Sequence, residues 1–136
     1  MYNTILVPIN LSHKRSGVKA TKIAKKLIND GGEIILINVL EDVPSYIEAE
    51  LPKDLRENTK KEVLLQITKI SKENSISSNV QIRSGHAASS ILEAAESYNA
   101  DLIIIASHRP GLSDYFLGST AARVVRHAQC PVLVDR

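Results

Sequence analysis

The stretch from residue 102 to residue 121 constrains the fold of this chain more than any other. It begins as an unbroken apolar run, Leu102 to Ile105, passes through a polar segment that contains Pro110 and Gly111, and regains apolar residues at helical spacing. This pattern predicts a buried strand, a loop and a helix. Because open α/β sheets bind ligands in the loops that follow such strands, we expect a binding site between residues 107 and 119.

The end of this loop has the composition of an anion site. Gly118, Ser119 and Thr120 stand where the predicted helix begins. A glycine lets a ligand approach the backbone closely, and the first N–H groups of a helix have no intrahelical partner, so they are free to bind an anion. An ordinary helix start, in which Ser119 is the N-cap, is the alternative interpretation.

Strand-like and helical patterns alternate along the rest of the chain. The predicted strands are residues 4–9, 33–40, 79–84, 102–105 and 131–134, and the predicted helices are 15–28, 52–72, 86–99 and a last one that ends at 126–127. Such alternation is typical of a parallel sheet with helices on both faces. In the third strand polar and apolar residues alternate, which predicts a position near a sheet edge.

Cap residues, turn residues and hydrophobic periodicity predict three local features. Ser12 is expected to cap the first helix, and the Asn-Asp-Gly-Gly segment at residues 29–32 is expected to end it. Leu55 is predicted to lie on the inward face of the second helix together with Val63, Ile67 and Ile70.

Asn10 follows the first strand directly. The first and fourth strands are predicted to be neighbours at the point where the winding direction of the sheet reverses, so Asn10 would face the same crevice as the loop from residue 107 to residue 119. Two polar loops from distant parts of the chain then converge. This convergence favours a ligand with an anionic group.

The composition limits the classes of function. A length of 136 residues predicts one domain, residues 1–136. Lys and Arg exceed Asp and Glu by only two, 17 against 15, and the chain has no Trp and one Phe, so nucleic acid is not an expected partner. No apolar run is long enough to span a bilayer and residues 1–4 lack the pattern of a secretory signal, so we expect a cytoplasmic protein without a membrane partner. Cys130 is predicted to be a small buried residue without chemistry.

A basic stripe is the sharpest charge feature of the chain. Arg15, Lys19, Lys22 and Lys26 recur at helical spacing on one face of the first predicted helix. A solvated helix face is the favoured interpretation, and a surface for an acidic partner is the alternative.

Three segments resemble the universal stress protein family: residues 4–10, 100–108 and 117–134. The resemblance covers the whole chain. It implies a five-stranded parallel sheet in the order 3-2-1-4-5, the adenine nucleotide alpha hydrolase-like fold, and a nucleotide-binding regulatory protein of the stress response without rapid turnover. It also implies a homodimer joined through the last strand, residues 131–135, which would otherwise be a bare apolar edge.

Many members of this family bind ATP with a loop patterned Gly, two residues, Gly, nine residues and Gly-Ser or Gly-Thr. The final pair matches Gly118-Ser119, which would hold phosphates, while Val39 would meet the adenine and position 10 the ribose or a metal ion. The other residues implied to bind the nucleotide are Pro8, Ile9, Ala106, Ser107, His108, Arg109 and Thr120.

The loop departs from the family pattern. Ala106 and Arg109 replace the first two glycines, the segment after Arg109 is one residue short, and Asn10 replaces the usual aspartate. Ala106 adds one methyl group, a minor obstruction. The side chain of Arg109 would have to turn away if a phosphate contacts its amide, or its guanidinium would replace amide contacts with a bidentate phosphate pair. Asn10 lacks the charge that would help to hold Mg²⁺, so ATP is the expected ligand and the need for Mg²⁺ stays open.

Catalytic and metal motifs are sparse. The four histidines, at positions 13, 86, 108 and 127, lack the spacing of a metal site, and the chain has neither a Walker lysine nor an acid/base pair at recognisable spacing. No catalytic residue and no metal ligand is predicted. Two other classes stay open: a slow ATP hydrolase with His108 as its base, and an interaction module without a ligand.

Overall fold

In the computed structural model, which describes residues 1–41, 45–50, 52–76, 78–107 and 117–136, five strands form one parallel sheet in the order β3-β2-β1-β4-β5. At residues 45 and 48 only the backbone is described. The strands are β1 (Tyr2–Pro8), β2 (Ile28–Leu40), β3 (Ser78–Ser84), β4 (Leu102–Ala106) and β5 (Val132–Asp135). The helices are α1 (Lys14–Leu27), α2 (Ser45–Glu48), α3 (Lys53–Glu73), α4 (Ala87–Ser97) and α5 (Ser119–His127). The predicted strand order is confirmed.

Alternate residues of the strands build a core on each face of the sheet. Ile5 and Val7 of β1 point to the face covered by α1 and α3, whereas Leu6 points to the face covered by α4 and α5. Because helices cover both faces, the central strands need no polar side. This is why their sequences are unbroken apolar runs.

The two edges of the sheet are β3 and β5. The edge position of β3 was predicted from its alternating sequence, and no residue of β3 is fully buried. All four residues of β5 are half-buried. Within the described parts of the chain, no helix combines the length and the apolar character that a membrane span requires.

The prediction that residues 29–32 end the first helix is wrong. α1 ends before this segment, which forms the irregular start of β2. Gly31 adopts a φ of +78°, and a Cβ on Gly32 would lie 2.9 Å from the carbonyl oxygen of Asn3. The glycines therefore accommodate an irregularity of the strand and its close approach to β1, and not a helix terminus.

The predicted capping role of Ser12 is also wrong. The Oδ1 atom of Asn10 accepts the backbone N–H of Ser12 at 2.9 Å and caps a 3-10 turn, Leu11–His13. α1 begins only after this turn, with His13 as its N-cap. The Asn10 side chain can close the turn because an Asx residue bonds the amide two positions on.

Leu55 does not lie on a buried face, because its side chain is 50% exposed. The first half of α3, residues 53–62, is exposed throughout, and the helix contributes to the core through Ile67 and Ile70, with Val63 packed at its margin. The periodicity of α3 indicated which face is apolar, but not how far the helix extends beyond the sheet.

Asp101 fastens β1 to β4 at the amino edge of the sheet. Its carboxylate accepts the N–H of Asn3 at 2.8 Å and the N–H of Thr4 at 3.0 Å, and its own N–H donates to the Thr4 carbonyl at 2.9 Å. These bonds hold the two strands together ahead of their direct pairing, which begins at Ile5 and Leu102.

Replacing Asp101 with alanine removes the acceptor of two backbone N–H groups. Since hydrogen bonds to a charged group contribute about 1.5–3 kcal/mol when buried and less when partly exposed, we expect Asp101→Ala to lower the free energy of unfolding by about 1–3 kcal/mol in urea. The matched control is Asp30→Ala at an exposed carboxylate. Equal stability of the two variants would contradict the assigned role.

Candidate functional site

A cavity of about 500 Å³ opens at the carboxyl edge of the sheet, beyond the ends of β1, β2 and β4. Small-molecule sites in proteins measure roughly 300–1,000 Å³. Nine of the eleven residues predicted for the site line this cavity: Pro8, Ile9, Asn10, Val39, Ala106, Ser107, Gly118, Ser119 and Thr120. The two loops that were expected to converge therefore border one cavity. The other two predicted site residues, His108 and Arg109, lie outside the described residues.

The loop after β1 is fixed to β2 by two hydrogen bonds. The N–H of Ile9 donates to the Ile37 carbonyl at 2.8 Å, and the side-chain Nδ2 of Asn38 donates to the Ile9 carbonyl at 2.8 Å. Asn38 is 8% exposed and lines the cavity. The loop backbone thus reaches the cavity in a defined conformation, with Asn10 exposed at its rim.

Ser107, the residue that follows β4, is bonded to the start of α5 and to the edge strand. Ser107 is buried, and its Oγ accepts the N–H of Gly118 at 2.9 Å. The N–H of Ser107 donates to the Asp135 carbonyl at the end of β5, at 2.8 Å. Ser107 therefore positions the first residues of α5 relative to the sheet.

Among the residues that the structure describes, no contact requires a glycine at position 118. Gly118 has φ −58° and ψ 152°, a conformation that any residue adopts, and a Cβ at this position would lie 3.6 Å from the Oγ of Ser107, an ordinary contact. The missing side chain instead leaves space in the cavity that Gly118 lines. A close approach of a ligand to the backbone is the physical reason for a glycine here.

Three helices begin at this cavity. Ser16 of α1, Ala87 of α4 and Ser119 of α5 all line it, and none of the three N-cap residues forms a side-chain cap hydrogen bond. The first N–H groups of a helix have no intrahelical partner, and each helix N-terminus carries about half a positive charge. The three helix starts therefore direct backbone N–H groups and partial positive charge at the cavity, whose described lining contains one carboxylate, Glu41, and no lysine or arginine.

Another part of the lining is apolar. Ile37, Val39, Ile91 and Ile105 contribute to it from β2, α4 and β4. A cavity that joins an apolar wall to a set of helix N-termini suits a ligand with a flat apolar ring and an anionic group.

Asn38, Ser16 and Gly17 are among the lining residues that sequence analysis missed. Asn38 is a polar residue inside the apolar run of β2, and this interruption was the available signal. Ser16 and Gly17 belong to α1, whose start lines the cavity. Gly17 lets this helix pack closely against the loop after β1, because a Cβ at position 17 would lie only 2.9 Å from the Ile9 side chain. This close packing of a helix against a loop carries no periodic signature.

The described lining of the cavity is poor in the carboxylates that magnesium sites use. Mg²⁺ favours carboxylate oxygens, but Glu41 is the acidic residue of the described cavity lining, and the Oδ1 of Asn10 accepts the Ser12 N–H. The parts of the chain that the structure describes also contain no group of three His, Cys, Asp or Glu residues that could hold a metal ion.

Cys130 is a half-buried thiol that packs at the margin of the core formed with α4 and α5. Burial raises the pKa of this thiol, and the carboxylate of Asp101 raises it further. Both effects favour the protonated thiol, which is the less nucleophilic form.

The family model described as Universal stress protein family matches residues 1–136. The chain belongs to the universal stress protein family. Universal stress protein G of Escherichia coli O157:H7 is 33% identical over 142 residues, which cover 100% of both chains. This confirms the resemblance noted in the sequence.

Two solved structures show the shared architecture. Hypothetical protein MJ0577 has a TM-score of 0.81 and 27% identity over 98% of this chain and 95% of its own. The universal stress protein from Archaeoglobus fulgidus in complex with dAMP has a TM-score of 0.68 and 19% identity over 99% of this chain and 98% of its own. At 19% identity the likeness establishes the fold.

The hydrogen bond between Ser107 and Gly118 is tested by Ser107→Ala. This change leaves the Gly118 N–H without its partner, so we expect the free energy of unfolding to fall by about 1 kcal/mol. The control is Ser12→Ala at an exposed serine, where we expect a change within about 0.5 kcal/mol. Urea unfolding measures both, and an unchanged midpoint for Ser107→Ala would show that the bond contributes nothing.

Proposed function

We propose that this protein binds an adenine nucleotide, ATP among its candidates, in the cavity at the carboxyl edge of the sheet. In this proposal it acts as a regulatory homodimer of the stress response in the cytoplasm, without rapid turnover of the nucleotide. The base would lie against the apolar wall at Val39, and the phosphates would meet the first N–H groups of α5 at Gly118 and Ser119.

The observation that carries this proposal is the convergence of two loops and three helix starts on one cavity. Anions bind at helix N-termini because unpaired N–H groups and the helix dipole both favour negative charge. Gly118 supports the same conclusion, since its lack of a side chain benefits a ligand and not the fold.

The dAMP complex of the Archaeoglobus fulgidus protein shows that a protein of this fold holds an adenine nucleotide. With 19% identity it transfers no individual residue to this chain. Support for the site therefore comes from the lining of the cavity itself, whose apolar wall and helix starts suit a base and a phosphate.

Two other functions make different predictions. A slow ATP hydrolase would need His108 as a base, so His108→Ala would abolish a steady release of phosphate. A ligand-free interaction module would show no change of melting temperature with any nucleotide. The regulatory protein proposed here would bind a nucleotide and release little phosphate.

Nucleotide binding to the folded state must raise stability. We expect AMP, ADP or ATP at a hundredfold excess over its dissociation constant to stabilise the protein by about 2.7 kcal/mol, seen as a rise of the melting temperature. In Gly118→Val the added side chain would occupy the cavity, so this rise should vanish.

The matched control is Gln129→Val, which adds the same side chain at an exposed position beyond the other end of α5. It should keep the full nucleotide effect. If none of the three nucleotides stabilises the unmodified protein, the ligand-free module becomes the better proposal.

The homodimer part of the proposal rests on the open edge of β5. The carbonyls of Pro131 and Asp135 accept N–H groups of the chain segment that contains β4, at 3.0 and 2.8 Å. Since alternate residues of a strand bond to opposite sides, the backbone groups of Val132 and Val134 face the open edge. A second copy of the chain would satisfy them and cover this edge.

Val134→Pro removes one outward N–H group without touching the bonds to β4, because proline has no N–H to donate. We expect the variant to remain folded and to sediment as a monomer at concentrations where the unmodified protein is a dimer. A monomeric unmodified protein at tens of micromolar, or a variant that still dimerises, would argue against pairing through this strand.

A further inference from the structure

A second, more open groove of about 600 Å³ lies between the start of α1 and the end of β5. Four cationic residues line it, Lys14, Arg15, Lys19 and Arg136, together with one acidic residue, Asp135. Lys19 and Asp135 form an ion pair at 2.8 Å across the groove. Lys14 and Arg15 add two further positive charges to the groove.

Lys14 and Arg15 stand where a cation is unfavourable for the fold. They are the first two residues of α1, and the first turn of that helix contains no acidic residue. Cations at a helix N-terminus are repelled by the helix dipole, and side chains that oppose local stability are typical of functional positions. Both side chains are exposed and form no ion pair with any residue that the structure describes.

The groove and the nucleotide cavity share a wall. Ser12, His13 and Ser16 line both, so the start of α1 separates the two spaces. The two spaces therefore adjoin at this turn, and a phosphate chain that extended from the cavity past the turn would enter the groove lined by Lys14 and Arg15.

We infer that the groove is a subsite for the distal phosphates of the nucleotide, with Lys14 and Arg15 neutralising the charge that Mg²⁺ neutralises in metal-dependent sites. The inference rests on the proposed nucleotide binding and specifies its ligand class as a metal-free polyphosphate nucleotide. It is consistent with the described residues, since the groove is cationic and the cavity beside it is lined by no carboxylate other than Glu41. Lys and Arg bind phosphate oxygens through charge-assisted hydrogen bonds.

The test is calorimetric titration of the full chain with AMP and with ATP, each in EDTA and in excess Mg²⁺. Because the two cations would form charge-assisted hydrogen bonds with distal phosphates that AMP lacks, we expect ATP to bind roughly tenfold more tightly than AMP in EDTA. Added Mg²⁺ should leave ATP binding unchanged or weaken it, since the metal ion and the two cationic side chains compete for the same phosphate oxygens.

The double variant Lys14→Gln/Arg15→Gln should lose this preference for ATP while its affinity for AMP stays the same. Its matched control is Lys22→Gln/Lys26→Gln, which removes two exposed cations from the same helix away from the groove. Glutamine keeps a similar helix propensity, so both variants should fold.

Equal affinities for AMP and ATP in EDTA would overturn the inference and leave the nucleotide site intact. So would tighter ATP binding with Mg²⁺, or an equal loss in both double variants. Failure of both nucleotides to bind would instead remove the proposed function itself.

Discussion

The unpaired N–H groups at the starts of α1, α4 and α5 are the feature on which the candidate site depends. In a parallel sheet every strand leads into its helix at the same edge, so these helix starts meet at the carboxyl ends of β1, β3 and β4. None of the three N-caps satisfies these groups with its side chain. The topology therefore concentrates backbone donors and positive potential around one cavity, and this would attract an anion even without cationic residues in the described lining.

Ser107 links this donor set to the rest of the sheet. Its Oγ holds the start of α5 through Gly118, and its N–H holds the end of β5 through the Asp135 carbonyl. The Asp135 carboxylate in turn pairs with Lys19 of α1. A continuous set of bonds thus connects the open edge of the sheet with two of the helix starts at the cavity.

Charge is distributed unevenly over this chain. The segment of α1 contains six Lys and Arg residues and no acid, whereas the whole chain has a net charge of only +2, so the remainder carries a net charge of −4 (+2 less +6). Most of the cations of α1 are a solvated face, as the periodicity predicted. The ion pair of Lys19 and the groove at Lys14 and Arg15 distinguish the first turns of the helix from the rest.

Much of the fold could be predicted from the sequence, because hydrophobic periodicity encodes which faces are buried. The strands, their order and the edge position of β3 followed from it and from the family resemblance. The wrong predictions concern residue types that occur in more than one kind of local structure. The glycines at 31 and 32 can end a helix or accommodate an irregular strand, and Ser12 and Asn10 can both cap a turn.

The sequence by itself determined the alternation of buried strands and helices and the glycine-containing loop end at residue 118. Tertiary structure alone decided that Asn38 would hold the loop after β1 and that the start of α1 would form a wall of the cavity. It also decided that Lys14 and Arg15 would face a groove beside that wall. The physical reason is that periodicity reflects which side chains are buried, whereas the contacts of these residues depend on which strand ends and helix starts the sheet brings together.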